Sequence, residues 1–272
     1  MISLMPYIGG KTRLAREIAK RLHASGADTL VDVFGGSGAV LLNAGFKKRV
    51  YNDCSGDLVT LFRVLADQRH RVQLFRQLRW LPPSRRVFGE DHRVFLRGGF
   101  SFQALTDPVE RARATFYRQL FVWGGKTRSG GFSVSTGDRH GVKEVVRYRN
   151  ALRRLSDVGK FFRDTVIENL DYQEAIKAYG ERENVVLFAD PPYVGTENYY
   201  AHSFSSMDHM FLAHLLGNCR SQVVCTYYDS PTVRELYPET RWTWESVVVT
   251  KNCQLKFGNK VKTEEVILTR KG

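Results

Sequence analysis

Apolar positions along the two ends of this chain follow helix and strand periods in turn. Leu14, Ile18 and Leu22 recur at helical spacing after Thr12, and Thr29 to Phe34 is an apolar run of strand length. The Gly-rich turn Phe34-Gly35-Gly36-Ser37-Gly38 follows, and a helix is predicted from Gly38 to Gly45. Arg49 to Asn52 reads as a second strand that ends at Asp53, before a helix over 56–66. After residue 165 the alternation resumes. Thr165 to Glu168 reads as strand, Tyr172 to Tyr179 as helix, Val185 to Ala189 as buried strand, Met207 to Gly217 as helix and Gln222 to Thr226 as strand. Two β-branched runs between Glu245 and Thr269, around Phe257-Gly258-Asn259, predict a hairpin. Strands that alternate with helices predict an α/β fold with a doubly wound, mostly parallel, Rossmann-like sheet, and the hairpin adds an antiparallel edge.

The middle of the chain has a different pattern. Asp107-Pro108-Val109-Glu110 is a helix start, with an N-cap Asp, Pro at the first position and Glu three after the cap; Ala112, Phe116 and Leu120 continue its apolar face. Gly124 to Gly141 is rich in Gly, Ser and Thr, with Phe132 and Val134 alternating, and reads as an exposed loop or a hairpin near 126–141. Helix resumes over Val145 to Leu155. The expected organisation is a host domain of residues 1–60 and 166–272, with a mostly helical domain inserted at 61–165.

Charge sharpens this division. The 272 residues carry 41 Lys+Arg against 28 Asp+Glu, a net charge of +13. Residues 61–165 hold 22 of the cations and 9 of the acids, so the whole excess lies in the insertion, and 19 of those 22 cations are Arg. Arg offers a planar fork for phosphates and guanine edges, which points the segment toward nucleic acid. An apolar content of 43% excludes a disordered chain. No apolar run of about 18 residues is present, so no membrane span is expected, and the N-terminal residues do not resemble an export signal. Cys54, Cys219, Cys225 and Cys253 form no CxxC pair, so neither a zinc knuckle nor a redox dithiol is expected, and free buried thiols in a cytoplasmic protein are the plain reading.

Three short motifs carry chemistry. Val31-Asp32-Val33-Phe34-Gly35-Gly36-Ser37-Gly38 is a strand, a glycine turn and a helix start, the arrangement by which α/β sheets bind a nucleotide-like ligand. Leu41 stands where a dinucleotide fingerprint requires a small residue, which disfavours a nicotinamide enzyme. Asp53, at the end of the next strand, suits the ribose hydroxyls of an adenosine, or else makes an Asx turn or caps the helix over 56–66. Asp32 faces a ligand ammonium or caps the loop. Gly10-Lys11-Thr12 lacks the earlier Gly and the preceding strand of a phosphate-binding loop, because Met5 stands at the Gly position. The most specific motif is Asp190-Pro191-Pro192-Tyr193, directly after Val185 to Ala189. Two prolines fix φ as the chain leaves a buried strand, so a carboxylate and an aromatic ring are held at the sheet edge. That combination suits a flat heterocycle bearing an amino group.

Together these motifs resemble the Dam-type adenine-specific DNA methyltransferases, in order and over nearly the full length. Pro6 to Lys11 is similar to that family's N-terminal Gly-Gly-Lys motif, Val31 to Gly38 to its cofactor loop and Tyr51-Asn52-Asp53 to its second acidic motif. Phe132 to Gly137 resembles its Phe-Asn-Val-Pro-x-Gly hairpin, Asp190 to Tyr193 its catalytic tetrapeptide and Glu265 to Leu268 its closing strand. Ser133 and Ser135 replace the hairpin Asn and Pro, and Phe121 to Arg128 departs from the family's Asn-Arg and Asn-Gly stretch. Those are specificity positions, so the family's usual GATC target is not assumed.

The resemblance implies S-adenosylmethionine as cofactor, held by Tyr7, Lys11, Asp32, Phe34, Gly35, Gly36, Ser37, Gly38, Asp53 and Asp190. It implies double-stranded DNA as partner and a monomer that needs neither metal nor membrane. Asp190 and the Pro191 carbonyl would accept the two amino hydrogens of a flipped adenine, and Tyr193, after Pro192, would stack on the ring. Lys126, Arg128 and Arg139 in the Gly/Ser-rich stretch, and Arg147, Arg153 and Arg154 on the next helix, are the candidate DNA contacts. A related amino methyltransferase acting on RNA or cytosine, and a non-catalytic nucleic-acid-binding module, remain the alternatives.

Overall fold

The computed structural model describes residues 1–128, 130–134, 142–256 and 259–271, with side chains described outside 249–263. Its centre is a sheet of seven strands: β1 (Thr29–Asp32), β2 (Lys48–Asn52), β3 (Val166–Glu168), β4 (Val185–Ala189), β5 (Gln222–Tyr228), β6 (Trp242–Lys256) and β7 (Asn259–Arg270). Their order is β3-β2-β1-β4-β5-β7-β6. The first five strands run parallel, and β7 pairs antiparallel with both β5 and β6. The sheet is thus the doubly wound, mostly parallel one that the alternation predicts, with the hairpin at one edge.

Side chains alternate between the two faces of the sheet, and each face has its own core. Leu30, Tyr51, Val186, Phe188 and Val224 pack on one side with α1 (Ala15–Ala24), α2 (Gly56–Ala66), α3 (Gln68–Arg79), α5 (Pro108–Phe121) and α6 (Lys143–Arg163). Val31, Val50, Leu187, Val223 and Cys225 pack on the other with α7 (Tyr172–Tyr179), α8 (Ser206–Asn218) and α9 (Pro231–Leu236). The basic segment therefore shares the core of the first face. There α2 packs on α5 and α6, and α4 (Arg85–Arg97) packs on α5.

Local sequence explains most element ends. Asp107 caps α5 by accepting the Val109 N–H at 3.0 Å, with Pro108 at its first position. The helix predicted from Gly38 to Gly45 is instead a run of turns. Gly38 and Gly45 both have positive φ (69° and 80°), so only six residues lie between two left-handed positions. Asn43 also diverts the Ala39 carbonyl, donating to it at 2.7 Å and to the Ile2 carbonyl at 2.8 Å. Helix α6 is longer than predicted, and α3 and α4 fill the insertion before Asp107. At the Gly/Ser-rich stretch, Val122 bridges Phe132 antiparallel, and the Ser133 N–H donates to Phe121 O at 2.8 Å. Ser135 to Gly137 and Arg139 lie outside the described residues. No described helix is long and apolar enough to cross a membrane. Cys219 and Cys225 are free and buried, whereas Cys54 is free, exposed and among the residues lining the cavity described next; the Cys253 side chain lies outside the described residues.

Candidate active site

In parallel sheets ligands bind beyond the carboxyl ends of the strands, where neighbouring strands connect in opposite directions. Here that point lies between β1 and β4, since the chain leaves β1 toward β2 and leaves β4 toward β5. Asp32 pairs in register with Tyr51 of β2 and Phe188 of β4, so Asp32, Asp53 and Asp190 reach one edge although 158 residues separate the first from the last.

Close packing builds the glycine loop. A Cβ on Gly35 would lie 2.2 Å from the Tyr51 ring, and Gly36 has φ of 50° with its face against Tyr7. The buried Tyr51 hydroxyl donates to the Gly36 carbonyl at 2.8 Å. Asp53 accepts the Gly36 N–H on one oxygen and the Ser55 N–H on the other, both at 2.8 Å. The second contact is the Asx turn anticipated for it. Asp53 thus ties the glycine loop to the β2 end and also lines the cavity. Burial raises its carboxyl pKa above the ordinary carboxylate range.

Asp32 is 1% exposed, and its Oδ1 is buried without a hydrogen-bond partner. Desolvation, and then the charges of Asp190 and Asp53, push its pKa well up. Lys11, itself buried, lies 2.9 Å from Asp190 Oδ2 and 3.9 Å from Glu265, donates to Gly9 O at 2.6 Å, and stands over the Tyr193 ring at 4.7 Å. The Thr226 hydroxyl donates to Asp190 Oδ1 at 2.7 Å. Both oxygens of Asp190 are therefore held. Tyr193 is buried, donates to Glu265 at 3.3 Å and packs against Tyr227 and Tyr228.

Two cavities adjoin at this edge. The first, about 340 Å³, is lined by Asp32, Phe34, Asp53, Tyr172, Asp190 and Phe204 among others. The second, about 720 Å³, opens between the N-terminal loop and the Gly/Ser-rich stretch and is lined by Tyr193, Tyr228, Glu265, Gly125 and Ser133. Tyr7, Gly9, Gly10, Lys11, Ser37 and Tyr200 line both and form the partition. Among the described residues no group of three or more His, Cys, Asp or Glu side chains is set to hold a metal ion.

The basic candidates divide by environment. Arg128, Arg153 and Arg154 are exposed, and Arg154 donates to Ser3 O at 2.7 Å. The Lys126 ammonium lies over the Trp123 and Tyr199 rings at 5.0 and 5.4 Å. Arg147 is turned inward. It donates to the Leu120 carbonyl and burial lowers its pKa, yet it is only half-buried and lines the second cavity. Arg111 and Arg113 pair with the buried Asp57 and Asp91 at 2.7 Å each, and Arg118 is buried against the Phe95 ring. Part of the arginine excess is therefore internal. Thr226, Glu265 and Tyr200 were not anticipated as site residues. The sequence signal for Thr226 is weak, a hydroxyl that follows the apolar Val223-Val224-Cys225 run.

Comparison with known proteins agrees with this geometry. A family model described as D12 class N6 adenine-specific DNA methyltransferase matches residues 7–251, and the chain belongs to that family. It is 25% identical to the DNA N-6-adenine-methyltransferase of Escherichia phage P1, over 97% of this chain but only 35% of that protein's length. It is 26% identical to the DNA adenine methylase of Serratia marcescens, over 86% of each chain, and 25% identical to that of Salmonella typhi, over 97% of this chain and 94% of the relative.

Proposed function

We propose that this protein is a site-specific DNA methyltransferase that moves a methyl group from S-adenosylmethionine to the exocyclic amino nitrogen of an adenine flipped out of duplex DNA. One observation carries the reading: Asp190 to Tyr193 crosses the partition, with Asp190 and Pro192 on the first cavity and Tyr193 on the second. A donor in one chamber and a base in the other would meet at this tetrapeptide.

The residues of the first cavity fit the cofactor. The unpartnered Asp32 Oδ1 supplies what a ligand ammonium requires. Each Asp53 oxygen accepts one N–H and retains a lone pair for a ribose hydroxyl. Phe34, Tyr172 and Phe204 offer an apolar wall to a purine, and the glycine loop brings backbone close to the ligand. When bound, S-adenosylmethionine supplies a methyl group already activated by its sulfonium.

The chain's own task is orientation. The adenine amino nitrogen is a weak nucleophile because its lone pair is conjugated with the ring. Asp190 accepts one amino hydrogen and the Pro191 carbonyl the other, which favours rehybridisation and stabilises the positive charge that develops on nitrogen. Pro191 and Pro192 keep these acceptors in place, and Tyr193 presents its ring to the base. Tyr7 and Lys11 hold the partition, so much of the rate enhancement is positional. Residues 61–165 form the target-recognition insertion, with Arg147 on the wall of the second cavity and the exposed Arg128, Arg153 and Arg154 available to DNA. We assign the enzyme to the cytoplasm of a bacterial or phage-infected cell, as a monomer.

The test is transfer of labelled methyl to duplex DNA, single-stranded DNA and RNA, with digestion of the product to nucleosides. N6-methyladenine from duplex DNA is expected, and label in RNA or on cytosine overturns the reading. Asp190→Ala should abolish transfer while the protein stays folded and still binds DNA. Turnover within about tenfold of wild type, under 1.4 kcal/mol of barrier, removes Asp190 from the mechanism.

A further inference from the structure

Strand β5 lies beside β4, with Cys225 opposite Ala189, so Thr226 stands next to Asp190 in the sheet. Val223, Val224, Cys225 and Tyr227 are all fully or almost fully buried, as is Thr226 itself. A valine would fill the same space, and burying a hydroxyl is unfavourable unless it is bonded. Packing alone therefore gives no reason for the hydroxyl. Its donor is spent on Asp190 Oδ1 at 2.7 Å, a short bond to a carboxylate.

We infer that Thr226 is a positioning residue for methyl transfer, holding the Asp190 carboxylate at the rotation in which it meets the adenine amino group. Lys11 contacts the other oxygen at 2.9 Å, but it comes from the N-terminal loop. Thr226 comes from an inner strand of the sheet, and its β-branched side chain has few rotamers. With Lys11 alone, the carboxylate is free to turn about its bonds and follow the ammonium. With both, its plane is defined by two points. The inference rests on the reading of Asp190 as the amino-group acceptor.

Thr226→Val, Thr226→Ala and Thr226→Ser test it, with single-turnover methyl transfer measured beside cofactor and DNA affinity. Thr226→Val should lower the transfer rate roughly 10- to 100-fold, as expected for losing a hydrogen bond to a charged group. Its cofactor and DNA dissociation constants should stay close to wild type, while its thermal midpoint falls by a few degrees, as for any lost bond to a buried carboxylate. Thr226→Ser should restore the rate to within a few fold, because it returns the hydroxyl. Thr226→Ala serves the same measurement should the valine variant not fold. A wild-type rate in Thr226→Val, or a loss in Thr226→Ser as deep as in Thr226→Val, overturns the inference. So does a rate loss that only follows weaker cofactor binding. If Asp190→Ala is inactive while Thr226→Val is normal, this inference alone fails. If Asp190→Ala remains active, the functional reading fails with it.

Discussion

Gly35→Ala isolates the packing on which the cofactor loop depends. Gly35 does not have positive φ, so the substitution carries no left-handed strain. Its effect is contact: the new Cβ would lie 2.2 Å from one Tyr51 ring carbon and 2.5 Å from the next, against 3.4 Å or more for an ordinary contact. The ring cannot easily yield. Tyr51 is fully buried, packs edge-on against Phe62 and Phe162 at 4.8 and 5.5 Å, and its hydroxyl is tied to Gly36. The loop itself must then move by about 1 Å, carrying Gly36 away from Asp53. Overpacking of this severity belongs at the upper end of the usual range, about 3 kcal/mol, or roughly 6–12 °C in thermal midpoint. The same shift should weaken cofactor binding at least tenfold. Thermal unfolding and calorimetric titration with S-adenosylmethionine read both effects. Gly89→Ala is the control, since it lies inside α4 with nothing within 4 Å and should stabilise by about 0.5–1 kcal/mol. If Gly35→Ala is within 1 kcal/mol of wild type and binds cofactor normally, the close-approach argument is wrong.

Further outcomes are expected. Asp53→Ala should weaken S-adenosylmethionine binding more than it lowers the saturated rate, because a ribose contact is equal in ground and transition states. It should also lose about 1–3 kcal/mol of stability by orphaning two backbone N–H groups; lost stability with unchanged cofactor affinity, measured by calorimetry, would leave Asp53 only its turn. Arg153→Ala or Arg154→Ala should weaken binding to every DNA sequence and flatten the salt slope by roughly one unit for each lost phosphate contact. Arg128→Ala should instead cost roughly 1–3 kcal/mol at the correct site and relax one base position, and equal losses across a library of substituted sites would make it a phosphate contact. Asp32→Asn should stabilise the cofactor-free protein at pH 8 while weakening cofactor binding. The Asp32 carboxyl is raised in the folded state, by desolvation first, above about 3.9 when unfolded, so the folded state holds the extra proton between those values. Wild-type stability then falls as pH rises from about 4, and the advantage of the Asn variant grows in the same direction. Denaturant titrations at pH 5 and pH 8 that show Asp32→Asn the less stable at the higher pH would reverse this sign.

The sheet was legible because its strands are short, apolar and separated by helical periods, and α7 and β4 begin and end where the pattern places them. The segment after Gly38 was not, because its composition is helical while its conformation is set by two left-handed glycines and by an Asn43 side chain bonded to residue 2. Sequence pattern carries no information about a contact 41 residues away. The same limit applies at the site. Asp32, Asp53 and Asp190 were readable as strand-end acids, since topology alone brings strand ends together. The partners that decide their state come from elsewhere. The Lys11 ammonium, which lines both cavities, lies on Asp190 through a pairing that no local pattern reveals, and Thr226 is hidden in a buried strand. Net charge located the basic segment but not its surface, since Arg111 and Arg113 are consumed by buried acids and Arg118 is buried against the Phe95 ring.

The three acids at the sheet edge are not treated alike, and the difference follows from what each is given. Asp190 has a cation and a hydroxyl, Asp53 has two backbone N–H groups, and one Asp32 oxygen has no partner. A protein selected only for stability would not keep a buried acid in that condition, because an unpartnered charge is among the most unfavourable groups to bury. Nor would it keep Lys11 beside Asp190 and close to Glu265 while leaving Asp32 without a cation. The unequal pairing makes sense if Asp53 and Asp190 must be rigid before the ligand arrives and Asp32 must wait for a charge that the ligand brings. On the proposed reading, the preorganised acceptors would stand at the ribose and at the reacting nitrogen, and Asp32 at the amino-acid end. On the same reading, an ammonium-bearing cofactor would pair the Asp32 oxygen, and part of the affinity and selectivity for such a ligand would rest on that contact.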